Sequence, residues 1–128
     1  MLYITPVACP RPRFNRKTGG VYYPKNYTLY RKELCLLLDK IHYPKMDKED
    51  ADKAMSLYAI FAFNSYQNAP CIGKIDLDNL VKALCDTLQD YGAIIDDRQI
   101  TFITTRKEYT KEKSHICFKL EPLDALYT

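Results

Sequence analysis

Apolar positions along the chain recur at two spacings, and the switches between them mark the elements. Residues 1–8 carry Leu2, Tyr3, Ile4 and Val7 in a β-prone run, which predicts a first strand. Over 27–42 the spacing becomes helical, with Tyr30, Leu34, Leu37, Leu38 and Ile41 on one face and Thr28 available as a cap. Leu36 broadens that stripe, toward the core or toward a partner. Pro44 stops the helix, and the charged run 45–53 reads as a solvated connection. Residues 56–63 (Leu57, Tyr58, Ile60, Phe61, Phe63) predict a second strand, and 64–74 a polar loop. Leu80, Val81, Leu84 and Leu88 predict a second helix over 79–90, closed by Gly92. After the short apolar segment 93–95, Asp96-Asp97-Arg98 reads as a turn. Segments 99–108 and 114–121 read as strands joined as a hairpin. The order βαβαββ predicts one α/β (α+β) domain over 1–128, with a mixed sheet and two main helices.

Between the first strand and the first helix lies a long loop, 9–26, with Pro10, Pro12, Pro24 and Gly19-Gly20. Loops of that length in small domains are usually functional or mobile. This one changes the electrostatic picture. Residues 1–32 hold Arg11, Arg13, Arg16, Lys17, Lys25, Arg31 and Lys32 and no acid, a charge of +7 inside a chain of net charge +3. The remainder has twelve basic against sixteen acidic residues, a balance of −4. A basic arm on an acidic body suits a polyanion, although a solvated basic loop would look the same.

Composition narrows the class. With 47% hydrophobic and 27% charged residues the chain can build an ordinary core, modest enough that a dimer would add useful burial. It has no apolar run of membrane-spanning length and no signal-peptide layout, so a cytoplasmic location is expected. The five cysteines are odd in number, widely spaced and without a C-x-x-C pair, which predicts reduced thiols rather than disulfides or zinc.

The densest chemistry is Lys74-Ile75-Asp76-Leu77-Asp78-Asn79, then Lys82, and later Asp96-Asp97. In an extended segment Asp76 and Asp78 would leave the chain on one side. The apolar segment 93–95 could return Asp96 and Asp97 to the helix start. Carboxylates meeting there would form an oxygen-only site suited to Mg²⁺. A plain structural account also fits: Asp78 as N-cap, Asp76 favoured by the helix dipole, Asp96-Asp97 as turn residues, and Lys82 paired with Asp78 or Asp86. In the functional account Lys82 would neutralise a reacting phosphate or orient water.

These residues resemble the pattern of the RusA-type Holliday-junction resolvases, common in phages and prophages. The pattern is a Lys, Asp-Leu-Asp-Asn, a Lys four residues after the second Asp, an Asp within the helix, and an apolar stretch ending in Asp-Asp followed by Gln and Ile. Here these are Lys74, Asp76 to Asn79, Lys82, Asp86, and Asp96-Asp97 followed by Gln99-Ile100. Pro10-Arg11-Pro12-Arg13 and Tyr23-Pro24-Lys25 look like the family's basic loop; Ile75 stands where relatives often carry proline. The resemblance is strong over 74–107 and fair over 6–31.

The resemblance implies a homodimer in a bacterial or phage-infected cell that cuts four-way DNA junctions with Mg²⁺, or Mn²⁺ in its place, in recombination and repair. Asp76, Asp78 and Asp97 would be the catalytic, metal-binding acids, Asp96 a supporting one, and Lys82 the catalytic lysine. Arg11, Arg13, Arg16, Lys17, Lys25 and Lys74 would contact DNA phosphates. Phe14 and Tyr23 are candidates to stack on unpaired bases, whereas Tyr22 is read as covering the core. Competing readings are a nuclease for flaps or forks, a non-catalytic protein that binds branched DNA, and a module whose basic arm binds an acidic protein.

Overall fold

A computed structural model of the chain describes residues 1–11, 13–73 and 75–123, without the Arg13 side chain. A two-stranded ribbon, β1 (Arg13–Phe14) and β2 (Val21–Tyr22), precedes helix α1 (Lys25–Lys40). Strand β3 (Met55–Asn64), the short β4 (Ala69–Pro70), helix α2 (Leu77–Tyr91), β5 (Ile100–Thr110) and β6 (His115–Pro122) follow. The sheet order is β4-β5-β3-β6, with β3 parallel to β5 and antiparallel to β6. This is the expected α+β domain with a mixed sheet and two helices.

One face of β3 explains the layering. Met55, Leu57, Ala59 and Phe61 alternate as buried positions, and the last three share one core with Ile116 of β6. Against them lie Leu80, Leu84 and Leu88 of α2 and Tyr27, Tyr30, Leu34 and Leu38 of α1. Helix α2 is the crossover that a parallel β3–β5 pair requires. It ends at Gly92, whose φ of 96° is left-handed and favours glycine.

Four expectations are corrected. Residues 1–8 are not a strand: Leu2 alone bridges Ile116, and Pro6 and Pro10 have no N–H to extend a ladder. The segment instead straps across to α2, where the Cys9 N–H donates to the Asn79 carbonyl at 2.9 Å. β5 and β6 are not a hairpin, because β3 lies between them. Their connection crosses the end of β3, tied down by Asn64: its N–H donates to Ser114 Oγ at 2.8 Å and its side chain to the Glu112 carbonyl at 2.8 Å. Pro24, not Thr28, stands at the α1 N-cap. Last, Ile41 and Tyr22 are exposed, Ile41 because α1 ends at Lys40 and Tyr22 because the ribbon projects from the core.

Part of the basic loop forms the β1–β2 ribbon. Asn15 Oδ1 accepts the N–H groups of Lys17 and Thr18 at 2.9 and 3.3 Å. Gly19 takes a φ of 71°, and Asn15 and Gly20 pair across the turn at 2.7 Å. An Asx turn with a left-handed glycine closes the ribbon without help from the core. All five cysteines are free. No helix among the described residues is long and apolar enough to cross a membrane.

Candidate active site

The site begins where the chain enters α2. Ile75 and Leu77 both pack against the core, so Asp76 between them is turned to the surface. Asp76 is the N-cap residue in extended conformation (φ −72°, ψ 130°), and its side chain makes no capping hydrogen bond. Asp78 sits in the first helical turn rather than in an extended segment, so the two acids do not share a strand face. The cap account therefore fails for Asp78, which is inside the helix, and the Asp76 carboxylate at the cap position makes no capping hydrogen bond. Both remain near the positive end of the helix dipole.

Asp97 arrives from the other side of the crossover. It opens a 3₁₀ turn, Asp97–Gln99, capped by a reciprocal pair. Asp96 Oδ1 accepts the Arg98 N–H at 3.0 Å, while Gln99 Oε1 accepts the N–H groups of Ile95 and Asp96 at 2.8 and 3.2 Å. Gln99 is buried, and its amide nitrogen donates to the carbonyls of Asp50 and Lys53 at 2.9 and 3.0 Å. It thus ties the turn to the 46–53 connection, and Gln89 Oε1 accepts the Asp97 N–H at 3.0 Å. The Arg98 N–H holds the Asp96 carboxyl below its ordinary range. Only Oδ1 of Asp96 is engaged in this cap.

Lys82 lies one turn beyond Asp78 and reaches away from it. Its Nζ donates to Asp86 Oδ1 at 3.0 Å and to Asp97 Oδ2 at 3.2 Å. Asp86 foremost and then Asp97 hold the ammonium proton well above the ordinary lysine range, against an opposing effect of burial. Lys82, Asp78 and Asp97 line one surface depression of about 590 Å³ with Leu77, Val81, Cys85, Ile100, Ile103 and Thr105. Burial first, then Asp97 and Asp86, push the Cys85 thiol up to about 11, so it is neither a nucleophile nor a thiolate ligand at neutral pH.

The structure thus brings Asp78, Lys82 and Asp97 to one concave surface, with Asp76 at the adjoining helix cap. It does not bring the acids together as a finished ligand set: among the described residues no three His, Cys, Asp or Glu side chains are grouped to hold a metal ion. Carboxylates about 4 Å apart near a protein surface repel by roughly 4 kcal/mol, and the Lys82 ammonium is shared between two acids, Asp86 and Asp97. The donors are nevertheless hard oxygens of the kind Mg²⁺ takes, which fits the ion chemically.

Other sequence-derived candidates are separate from the depression. Arg11, Arg16 and Lys17 are exposed on and before the ribbon, and Lys25 is exposed at the start of α1. Exposed Phe14 and Tyr22 project from the same ribbon. Arg13 lies in β1 with its side chain outside the described residues, as is Lys74. A larger groove of about 720 Å³, lined by Arg31 and Asp90 among others, contains none of these acids, and Arg31 and Asp90 are paired with each other at 2.7 Å.

Three residues outside the sequence-derived site matter to its geometry. Asp86 carries the lysine and Gln99 the acidic turn. Lys107 of β5 donates to the Gly73 carbonyl at 3.1 Å and to the Ile75 carbonyl, holding the approach to Asp76. Asp86 and Gln99 lie within the motif; Lys107 had no local signal, since its partners are over thirty positions away.

No curated protein matches the chain. A family described as Endodeoxyribonuclease RusA matches residues 4–121, nearly its whole length and all of the site just described. The chain belongs to the RusA endodeoxyribonuclease family.

Proposed function

We propose that this protein resolves four-way DNA junctions by paired hydrolysis of phosphodiester bonds, using Mg²⁺ or Mn²⁺. The observation that carries the reading is the meeting of Asp78, Lys82 and Asp97 on one surface depression beside Asp76, in a chain of an endodeoxyribonuclease family. Asp76, Asp78 and Asp97 are the residues to hold the divalent ion, which supplies water activation and charge stabilisation at the leaving oxygen when bound. Lys82 places a full positive charge at the depression and can stabilise the phosphate as its charge builds. Asp86 and the Gln99-braced turn keep Lys82 and Asp97 in place.

Exposed Arg11, Arg16, Lys17 and Lys25, with Arg13 and Lys74, grip backbone phosphates and position DNA without reading sequence. Phe14, Tyr22 and Tyr23 are exposed aromatic rings on and beside the ribbon, suited to stacking on bases unstacked at a branch. Two copies about a two-fold axis would offer one site to each of two opposed strands, so a homodimer suits paired cuts. A role in recombination and repair inside a bacterial or phage-infected cell follows from that substrate.

The test is a synthetic four-way junction beside a linear duplex of the same sequences, each with and without Mg²⁺. Symmetric, Mg²⁺-dependent nicks confined to the junction support the reading. Cleavage of flaps or forks in preference to junctions changes the substrate; salt-sensitive binding without cleavage makes the protein a non-catalytic binder of branched DNA.

A further inference from the structure

We propose that Tyr27, buried on α1, is a positioning residue that sets the Lys82 ammonium through Asp86. The side chain is fully buried, and its hydroxyl donates to Asp86 Oδ2 at 2.7 Å. The other oxygen of the same carboxylate accepts from Lys82 at 3.0 Å, and Lys82 goes on to Asp97 at 3.2 Å. A continuous chain of hydrogen bonds therefore runs from the core of α1, through α2, to the acid on the far side of the depression.

The chemistry of each link favours this role. Burial foremost, and then the Asp86 carboxylate, hold the Tyr27 proton far above the ordinary tyrosine range, so the phenol remains a donor. With one oxygen fixed by Tyr27, Asp86 presents the other in a single orientation. Lysine has a long, flexible stem, and an ammonium without a fixed acceptor samples many rotamers. The Asp86 carboxyl is mostly buried, and losing one of two donors there is costly because water has little access.

Tyr27 is itself braced. The Tyr23 ring packs on it with centroids 5.3 Å apart, and the Arg31 guanidinium lies 5.4 Å over its ring. Arg31 is fixed in turn by two hydrogen bonds of 2.7 Å to Asp90. Tyr23 directly follows the basic ribbon, so the ribbon and Lys82 are connected through the rings of Tyr23 and Tyr27 and the Asp86 carboxylate.

The activity arm of the test rests on the nuclease reading, so it is paired with a chemical one. Tyr27→Phe removes one oxygen and keeps the ring. Single-turnover junction cleavage at saturating enzyme should fall about tenfold, while junction affinity without divalent metal changes less than about twofold. Acetylation of Lys82 by an N-hydroxysuccinimide ester, followed by mass spectrometry against Lys45 as reference, should rise about threefold as the ammonium leaves its carboxylates. Unchanged Lys82 labelling in a folded Tyr27→Phe protein overturns the proposal, whether or not the wild type cuts DNA. A cleaving wild type with an equally active Tyr27→Phe variant overturns it as well. A wild type that cuts no branched DNA counts against the nuclease reading, and the labelling alone then decides this one. If Tyr27→Phe does not fold, Asp86→Asn goes through the same two assays, and unchanged Lys82 labelling overturns the proposal there too.

Discussion

Replacing Gln99 with leucine removes the brace of the acidic turn while keeping a side chain of similar length. Four backbone groups each lose a hydrogen bond: the N–H groups of Ile95 and Asp96 and the carbonyls of Asp50, which keeps the Lys53 N–H, and Lys53. Because Gln99 is buried at 3% exposure, water cannot replace all of them. At about 1 kcal/mol for each, the loss is roughly 4 kcal/mol. Burying a leucine in the same space offsets about 1–2 kcal/mol, leaving about 2–3 kcal/mol of destabilisation. In urea, with a slope of about 1.5 kcal/mol per molar, the unfolding midpoint should fall by roughly 1.3–2 M. The folded fraction should also lose activity on DNA, since the same turn carries Asp97. A midpoint within about 0.3 M of wild type would refute the reasoning, for it would mean that these four bonds contribute no more than the buried leucine recovers.

Asp76→Asn and Asp97→Asn should each abolish Mg²⁺-dependent junction cleavage and leave gel-shift affinity in its absence nearly unchanged; wild-type cutting by either folded variant removes that acid from the site. Gly92→Ala should cost about 1–2 kcal/mol in thermal unfolding, because a Cβ there meets only the Lys45 side chain at 3.9 Å and the penalty is that of the left-handed φ. A loss well beyond that would point to a steric clash. Lys82 has a folded-state pKa raised above its ordinary 10.5, so its stabilising contribution is complete below that value and disappears as pH climbs through the folded-state range. Wild-type stability should therefore fall more steeply than that of Lys82→Met as alkaline titration passes pH 10.5, and parallel curves would contradict the two ion pairs of Lys82.

The helical and strand periods were legible wherever one face of an element is buried. Leu80, Leu84 and Leu88 mark α2, and Leu57 and Phe61 mark β3, because burial of one face imposes a period on the sequence itself. Gly92 was legible for a local reason too, since only the left-handed cap calls for glycine there. The motif acids could be read as a group, and the family pattern gave them candidate roles. What local spacing could not give was strand pairing. Segments 1–8 and 99–121 read as a strand and a hairpin, but which strand lies beside which depends on contacts distant in sequence, and β3 inserts between β5 and β6.

The site divides along the same line. The sequence by itself placed Asp76, Asp78, Lys82 and Asp97 within one short stretch of oxygen ligands and a cation, and it placed seven positive charges ahead of them. Only the tertiary structure decided how they are deployed. It made Asp76 rather than Asp78 the helix cap and sent Lys82 to Asp86 and Asp97. It also enlisted Tyr27 and Lys107, whose partners lie 59 positions away for the one and 34 and 32 for the other. Periodicity is a one-dimensional record of burial, whereas a charge or hydroxyl chooses its partner by distance in space, and packing the two helices on the sheet is what sets those distances.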